Sequence, residues 1–173
     1  RMRAGMIDVD LTIGLEWGKS GFGQIEVEKA VDVAVRFAAL PELADPVVPV
    51  SVSIKLSDND EVHALNREWR EKDKPTNVLS FPMLDDDELD ALVEGTYEAP
   101  EIMLGDVILA FGICEAEAAE KDIPVAHHAT HLLIHGMLHL LGYDHIEDED
   151  AEAMEALEVK ALASMGLHNP YSD

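Results

Sequence analysis

The alternation of apolar and polar residues along the chain predicts four β-strands and five α-helices. Strand-like alternation or a short apolar run marks residues 6–13, 47–56, 77–81 and 102–110. Apolar residues three and four positions apart predict helices over residues 26–40, 58–71, 113–121, 124–141 and 148–165. Because the strands lie early and the helices late, we expect one α+β domain over residues 1–173. It should hold a small mixed sheet of about four strands packed by about five helices.

Local signals predict where some of these elements begin and end. Ser57 or Asp58 can cap the second helix, and Glu61 follows Asp58 by three residues, as in a capping box. Gly142 can adopt the left-handed conformation that closes the helix before it. The acidic segment 85–101 contains a glycine and a proline, so we expect a loop or lid there.

Charge is unevenly distributed along the chain. The formal net charge of −24 opposes long-range attraction to phosphate backbones. Four of the twelve Lys and Arg residues nevertheless fall within eight positions, at Arg67, Arg70, Lys72 and Lys74. On charge alone, a local basic face and a solvated helix end fit this cluster equally well.

The remaining composition indicates a cytoplasmic protein that does not enter a membrane. Apolar residues make up 47% of the chain, which is enough for a core. No apolar run reaches the length of a membrane span. The single cysteine, Cys114, fits a reducing compartment, and residues 1–13 do not follow the pattern of a secretory signal.

Three histidines in the stretch HGMLHLLGYDH, residues 135–145, have the spacing of a zinc motif. Helical positions four apart differ by about 40° in direction and about 6 Å in height, so His135 and His139 can reach one ion. A turn after Gly142 can bring His145 to the same point. Three imidazoles with an open fourth position are typical of a catalytic zinc site, so we predict one zinc ion on this central helix.

The same predicted helix carries further histidines at His127, His128 and His131. One ion can take only a neighbouring pair, and the pair His135 and His139 is favoured because it lies beside the turn. His131 is then a candidate for contact with a ligand histidine or with the substrate. We expect His127 and His128 at the surface.

The spacing of the three histidines also matches the metzincin peptidases, in which a glutamate follows the first histidine. Gly136 occupies that place in this chain. A peptidase would lack the carboxylate that activates its water, so the sequence disfavours a peptidase and leaves the metal prediction intact.

Three sequence blocks together resemble the YbeY-type endoribonucleases, also described as rRNA maturation factors. HLLIHGMLHLLGYDH, residues 131–145, carries the family's HGxLHLxGYDH. LNREWREKDKPTNVLSFP, residues 65–82, resembles LNxxYRxxDxPTNVLSFP, with Trp69 where tyrosine is usual. LGDV, residues 104–107, matches a third block.

This resemblance implies a metal-dependent hydrolase, an endonuclease for single-stranded RNA, with one zinc ion held by His135, His139 and His145. It also implies a role in maturation of the small-subunit rRNA 3′ end and in ribosome quality control. The expected partners are therefore rRNA and the small ribosomal subunit, and no DNA is expected. Arg70 occupies the position at which the family has an arginine, so the resemblance implies that Arg70 is the catalytic residue.

Phosphodiester cleavage mostly needs negative charge on the phosphate oxygens to be neutralised. Arg70 offers a planar fork of donors for those oxygens, although a structural ion pair with one of the many carboxylates is equally consistent with the sequence. Our hypothesis places zinc and Arg70 across a groove, with Lys72 and Lys74 leading the RNA strand in.

Several polar residues near the motif have two possible roles each. Asp106 can orient a zinc histidine or close a strand end. A protein base could come from His131 or Asp144, but Asp144 can equally fix the turn before His145. The alternative function is a ribosome-associated binding factor whose zinc only stabilises the fold.

Overall fold

A four-stranded mixed sheet forms the centre of the fold. The computed structural model describes residues 7–38, 40, 43, 46, 48–143 and 148–172. The strands are β1 (Asp8–Ile13), β2 (Val50–Ser57), β3 (Val78–Pro82) and β4 (Ile102–Ala110). Their order in the sheet is β1-β2-β4-β3, with β1, β2 and β4 parallel and β3 antiparallel to β4. The predicted mixed sheet of four strands is confirmed.

Strand β2 shows how the sequence pattern produces this sheet. Val50, Val52, Ile54 and Leu56 are buried, and the residues between them are half-buried. Strand β4 is buried along nearly its whole length because it lies inside the sheet with helices on both faces.

Strand β4 also contains a bulge in its pairing with β2. Its register with β2 shifts between Ser51 and Ser53, so that β4 has one extra residue there. Gly105 has a φ of +133°, and a Cβ atom on it would collide with the backbone oxygen of Phe81. A glycine is therefore required at this position of the LGDV block.

Six α-helices surround the sheet in the described part of the chain. They are α1 (Gln24–Phe37), α2 (Asn59–Arg70), α3 (Asp86–Glu94), α4 (Phe111–Lys121), α5 (Val125–Leu140) and α6 (Asp148–Ser164). A short 3-10 helix, Leu15–Lys19, follows β1. No helix among the described residues is long and apolar enough to cross a membrane.

The helices lie on two faces of the sheet. Helix α2 covers one face, where Val62 packs against Leu79 and Ile108. Helices α1, α5 and α6 cover the other face and share the larger core. Helix α5 is central to this layer because it packs against α1, α4, α6 and the strands β3 and β4.

The segment 85–101, expected to be a loop or lid, contains helix α3, so the prediction of a loop was wrong. The Asp85 side chain accepts from the Glu88 backbone N–H at 2.8 Å, and the Glu88 side chain accepts from the Asp85 N–H at 3.1 Å. Leu92 is fully buried, and Gly95 ends the helix with a φ of +75°. This reciprocal capping stabilises a helix despite the acidic composition.

The capping box predicted at the start of α2 forms only in part. Asp58 accepts from the Glu61 N–H at 2.8 Å, as expected. The Glu61 carboxylate instead accepts from Lys55 at 2.8 Å and from the Ser57 hydroxyl. At the end of α5, Gly142 has a φ of +99°, which confirms the predicted left-handed position.

Candidate active site

Helix α5 brings His135 and His139 together at the edge of the sheet. The two residues are four positions apart, and their Nε2 atoms lie 3.1 Å from each other. The rings meet edge to face at an interplanar angle of 85°. Both side chains are half-buried, so they can be reached from solvent while the helix holds them in place.

The other nitrogen of each ring contacts an oxygen acceptor. His135 Nδ1 lies 2.9 Å from Glu158 Oε2, and His139 Nδ1 lies 3.0 Å from the backbone oxygen of Tyr143. A carboxylate and a carbonyl both accept hydrogen bonds, which assigns the hydrogen to Nδ1 in each ring. In the neutral imidazoles, both Nε2 atoms then carry a lone pair.

The distance between these two nitrogens is compatible with the sharing of one zinc ion. Two nitrogens bound to a tetrahedral zinc at about 2.0–2.1 Å lie about 3.3 Å from each other. The separation of 3.1 Å between His135 Nε2 and His139 Nε2 is close to that value. The chemistry of the pair therefore suits the predicted metal, because neutral imidazole nitrogens are common zinc ligands.

The third predicted ligand, His145, lies outside the described residues, as does Asp144. Within the described residues, no group of three or more His, Cys, Asp or Glu side chains is arranged to hold a metal ion. The structure thus places two of the three predicted ligands together, and the three-histidine site stays a prediction.

Glu158 of helix α6 is a site residue that the sequence reasoning missed. It is fully buried and accepts from His131 Nε2 at 2.6 Å, from His135 Nδ1 at 2.9 Å and from the Tyr171 hydroxyl at 2.5 Å. Burial raises the pKa of the Glu158 carboxyl, but these three hydrogen bonds outweigh it and lower the pKa to about 2. The carboxylate is therefore charged and fixes the ring of His135.

The other histidines of α5 differ from one another in environment. His131 lies beside Glu158 and does not line the groove described below. His127 is exposed, as predicted. His128 was predicted at the surface, and this was wrong, because it is 3% exposed and lies 2.8 Å from a Glu117 oxygen.

His135 and His139 open onto a groove of about 770 Å³ that is also lined by Arg70, Lys72 and Lys74. Among the described residues that line this groove, Asp86 is the one carboxylate. Three of the four residues of the sequence cluster, Arg70, Lys72 and Lys74, thus form a local basic face on an acidic protein, whereas Arg67 lies outside the groove beside Asp73.

Arg70 is held at this groove by the edge strand. Its Nη2 atom donates to the backbone oxygen of Ser80, and its Cζ atom lies 5.2 Å from the centre of the Phe81 ring. Within the described part of the chain, no carboxylate lies within ion-pair distance of Arg70. This environment leaves other guanidinium donors for an anionic ligand.

Gly136 faces the sheet and not the groove. A Cβ atom at this position would lie 2.7 Å from Val107 Cγ1 and 3.0 Å from Ser80 Oγ. The residue is a glycine because helix α5 approaches β3 and β4 closely here. A glutamate at this position would not fit between helix and sheet, which further disfavours a peptidase.

Asp106 is not brought together with the histidines. It pairs with Phe81 across the β3–β4 ladder, so its side chain lies on the α2 face of the sheet. The next residue, Val107, faces α5. Asp106 also lies inside the strand, four residues before its end at Ala110. The placement supports neither of the two roles expected from the sequence.

Residues 17–166 match the family model described as Endoribonuclease YbeY. The chain belongs to the YbeY endoribonuclease family. It is 52% identical over 169 residues to Endoribonuclease YbeY of Rhizorhabdus wittichii, covering 96% of this chain and 98% of that protein. It is 47% identical over 168 residues to Endoribonuclease YbeY of Sphingopyxis alaskensis, covering 97% and 99%.

The fold is also similar to the solution structure of TM1509 from Thermotoga maritima. The TM-score is 0.53 at 24% identity, over 95% of this chain and 99% of that chain. In the present chain, two of the three YbeY-like blocks converge on one place. Block 65–82 supplies the basic residues of the groove, and block 131–145 supplies His135 and His139.

Proposed function

We propose that residues 1–173 form a zinc-dependent endoribonuclease that cleaves single-stranded RNA in the cytoplasm. In this proposal it matures the 3′ end of small-subunit rRNA and acts in ribosome quality control, with the small ribosomal subunit as its partner. The observation that carries the proposal is one groove lined by His135, His139 and Arg70, in a chain of the YbeY family.

In this proposal, His135, His139 and His145 hold the zinc ion. When bound, zinc would supply a Lewis acid toward the phosphodiester and an activated water near neutral pH. Glu158 and the Tyr143 carbonyl accept from Nδ1 of His135 and His139, so that each Nε2 carries the lone pair that a zinc ligand needs.

Arg70 is the proposed catalytic residue. Its guanidinium would donate to non-bridging phosphate oxygens and neutralise the charge that develops on them. The contacts with Ser80 and Phe81 hold the side chain in place, so less conformational entropy is lost when phosphate binds. Lys72 and Lys74 line the same groove and would attract the adjoining RNA backbone.

The proposal needs no protein base. His131 does not line the groove and is bonded to the buried Glu158. Phosphoryl transfer depends mainly on positioning and charge neutralisation, which the histidines, zinc and Arg70 would supply.

The test combines metal analysis with cleavage assays on the wild type, His139→Ala, Arg70→Ala and a matched control, Arg67→Ala. Arg67 lies on the same helix, is exposed, and does not line the groove. We expect the wild type and Arg67→Ala to bind zinc and to cleave single-stranded RNA. His139→Ala should lose zinc, and Arg70→Ala should keep zinc but cleave about 10²–10³ times more slowly.

Cleavage at wild-type rates by both His139→Ala and Arg70→Ala would indicate a contaminating nuclease and contradict the proposal. Casein hydrolysis by the wild type would instead support a peptidase. Zinc binding without cleavage of RNA, together with unfolding of His139→Ala, would support a ribosome-associated factor with a structural zinc.

The rRNA role is tested with small ribosomal subunits that carry a 3′-extended precursor rRNA. We expect the wild type to shorten the 3′ extension and Arg70→Ala to leave it in place. Cleavage that is no faster on these subunits than on an unrelated single-stranded RNA would contradict the assignment to rRNA maturation.

A further inference from the structure

The C-terminal segment 167–172 lies against the first half of helix α5. A cavity of about 400 Å³ is lined on one side by histidines of α5, including His131, and on the other by residues of this segment. Tyr171 contacts the ring of His131 edge to face, with 5.5 Å between the ring centres and an interplanar angle of 88°. Half of the Tyr171 side chain is exposed, but its hydroxyl points to the buried Glu158.

Tyr171 and His131 both donate to one oxygen of the Glu158 carboxylate. The Tyr171 hydroxyl lies 2.5 Å from Glu158 Oε1, the same oxygen that His131 Nε2 approaches to 2.6 Å. With two donors on Oε1, the other oxygen, Oε2, is directed to His135 Nδ1 at 2.9 Å. Each end of the carboxylate is thus fixed by a different set of donors.

We propose that Tyr171 is a positioning residue for the metal site, which holds Glu158 in the orientation that directs His135 Nε2 toward His139. The inference rests on the proposed function, because it takes His135 as a zinc ligand. Tyr171 itself does not line the groove, and its hydroxyl contacts Glu158 and His131. It acts through the chain Tyr171, Glu158 and His135, so the C-terminal segment becomes part of the metal-binding machinery.

Outer partners of ligand histidines typically contribute about 10–100-fold to metal affinity. Tyr171→Phe removes only the hydroxyl and keeps the ring contact with His131. We expect zinc to bind to this variant about 10-fold more weakly, measured by competition with a coloured chelator. Glu158→Gln should weaken zinc binding at least as much, because it removes the charge that His135 contacts.

The matched control is the variant Ser172→Ala, because Ser172 is the next residue of the same segment. Its hydroxyl bonds to His168 and to the Asn169 backbone oxygen and has no contact with Glu158. We expect its zinc affinity to equal that of the wild type. If this control loses as much affinity as Tyr171→Phe, docking of the segment in general explains the effect and the positioning role is overturned.

Two further measurements separate positioning from folding. Nitrogen-15 NMR of the metal-free protein should show His135 as the Nδ1–H tautomer in the wild type and as a mixture in Tyr171→Phe. The thermal midpoint of metal-free Tyr171→Phe should stay close to that of the wild type. An unchanged tautomer and unchanged zinc affinity in Tyr171→Phe would overturn the positioning role of Tyr171. The proposed function would still stand in that case if the wild type binds zinc and cleaves RNA. A wild type that binds no zinc would overturn both.

Discussion

The side-chain hydroxyl of Ser80 donates a 2.9 Å hydrogen bond to the backbone oxygen of Gly136 and so attaches edge strand β3 to helix α5. The backbone oxygen of the same serine accepts from Arg70. Ser80 therefore links the arginine to the helix that carries His135 and His139. This link depends on a close approach of helix and strand, which the missing side chain at residue 136 permits.

Gly136→Ala should destabilise the protein by about 1–3 kcal/mol, because the added methyl group overpacks the contact with Val107 and Ser80. The helix must move away from the strand to admit it, so RNA cleavage should also fall. Urea unfolding of the metal-free protein measures the change in the free energy of unfolding.

Gly18→Ala is the matched control for this substitution. Apart from the backbone around it, no atom of the described residues lies within 4 Å of a Cβ built on Gly18. We expect its free energy of unfolding to stay within about 0.5 kcal/mol of the wild type, as for most surface substitutions. Equal stability of Gly136→Ala and Gly18→Ala would show that the helix–strand contact tolerates a side chain.

The strands and most helices were predictable because burial follows a simple period in them. In β2, alternate residues face a covered side of the sheet, so the pattern in the sequence is the pattern of burial. Helix α3 was not predicted because two signals in 85–101 oppose each other. The acidic composition, with a glycine and a proline, favours a loop, whereas the spacing of Asp85 and Glu88 favours a capping box and a helix.

The histidine pair was predictable from its spacing on a helix, but its supporting residues were only partly so. Glu158 lies on the buried stripe of α6 with Met154, Ala161 and Leu162. A carboxylate among apolar residues on one face of a helix indicates a buried polar partner. The sequence does not identify which histidine is that partner. The close packing at Gly136 depends on the distance between α5 and the sheet, which no local pattern contains.

Cys114 should be unreactive in the folded protein. It is fully buried, and burial, with Glu117 and Glu115 nearby, raises the pKa of its thiol to about 12. A disulfide reagent such as DTNB, added at pH 8, should therefore label Cys114 in the native protein only as fast as the protein opens locally. The same reagent should label the denatured protein at once. Rapid, stoichiometric labelling of the native protein would contradict the buried position in α4.

His128 should make the protein less stable at mildly acidic pH. Burial lowers its pKa from the ordinary 6.5, and the hydrogen bond with Glu117 opposes this shift without cancelling it. Positive charge on His131 and Lys121 lowers the pKa further. As pH falls below 6.5, the unfolded chain takes up a proton on His128 more readily than the folded protein, so stability is lost. Urea unfolding at pH 7.5 and 5.5 measures the loss.

In His128→Gln this loss of stability between pH 7.5 and 5.5 should be smaller than in the wild type. The glutamine can still donate to Glu117, so the substitution removes the titration and keeps a hydrogen bond. His127→Gln, at the exposed neighbouring position, is the control and should lose stability as the wild type does. An identical pH dependence in His128→Gln and the wild type would assign the acid sensitivity to other groups.

Lys72 and Lys74 should bind RNA by charge at the groove. Each phosphate contact to single-stranded RNA changes the slope of log K against log salt by about 0.7, so a Lys72→Ala, Lys74→Ala double variant should have a slope smaller by about 1.4. The measurement is fluorescence anisotropy of a labelled single-stranded RNA across a series of salt concentrations, in a His139→Ala background that prevents cleavage.

The control is Lys29→Ala, Lys160→Ala, which removes the same charge from helices α1 and α6, away from the groove. Because both double variants have the same net charge, long-range repulsion between the acidic protein and RNA is equal in the two. The two double variants then differ only in their contacts inside the groove. The control should keep the wild-type slope of log K against log salt. If both variants show the same slope, RNA is bound by diffuse attraction or on another face, and Lys72 and Lys74 do not lead the strand toward Arg70.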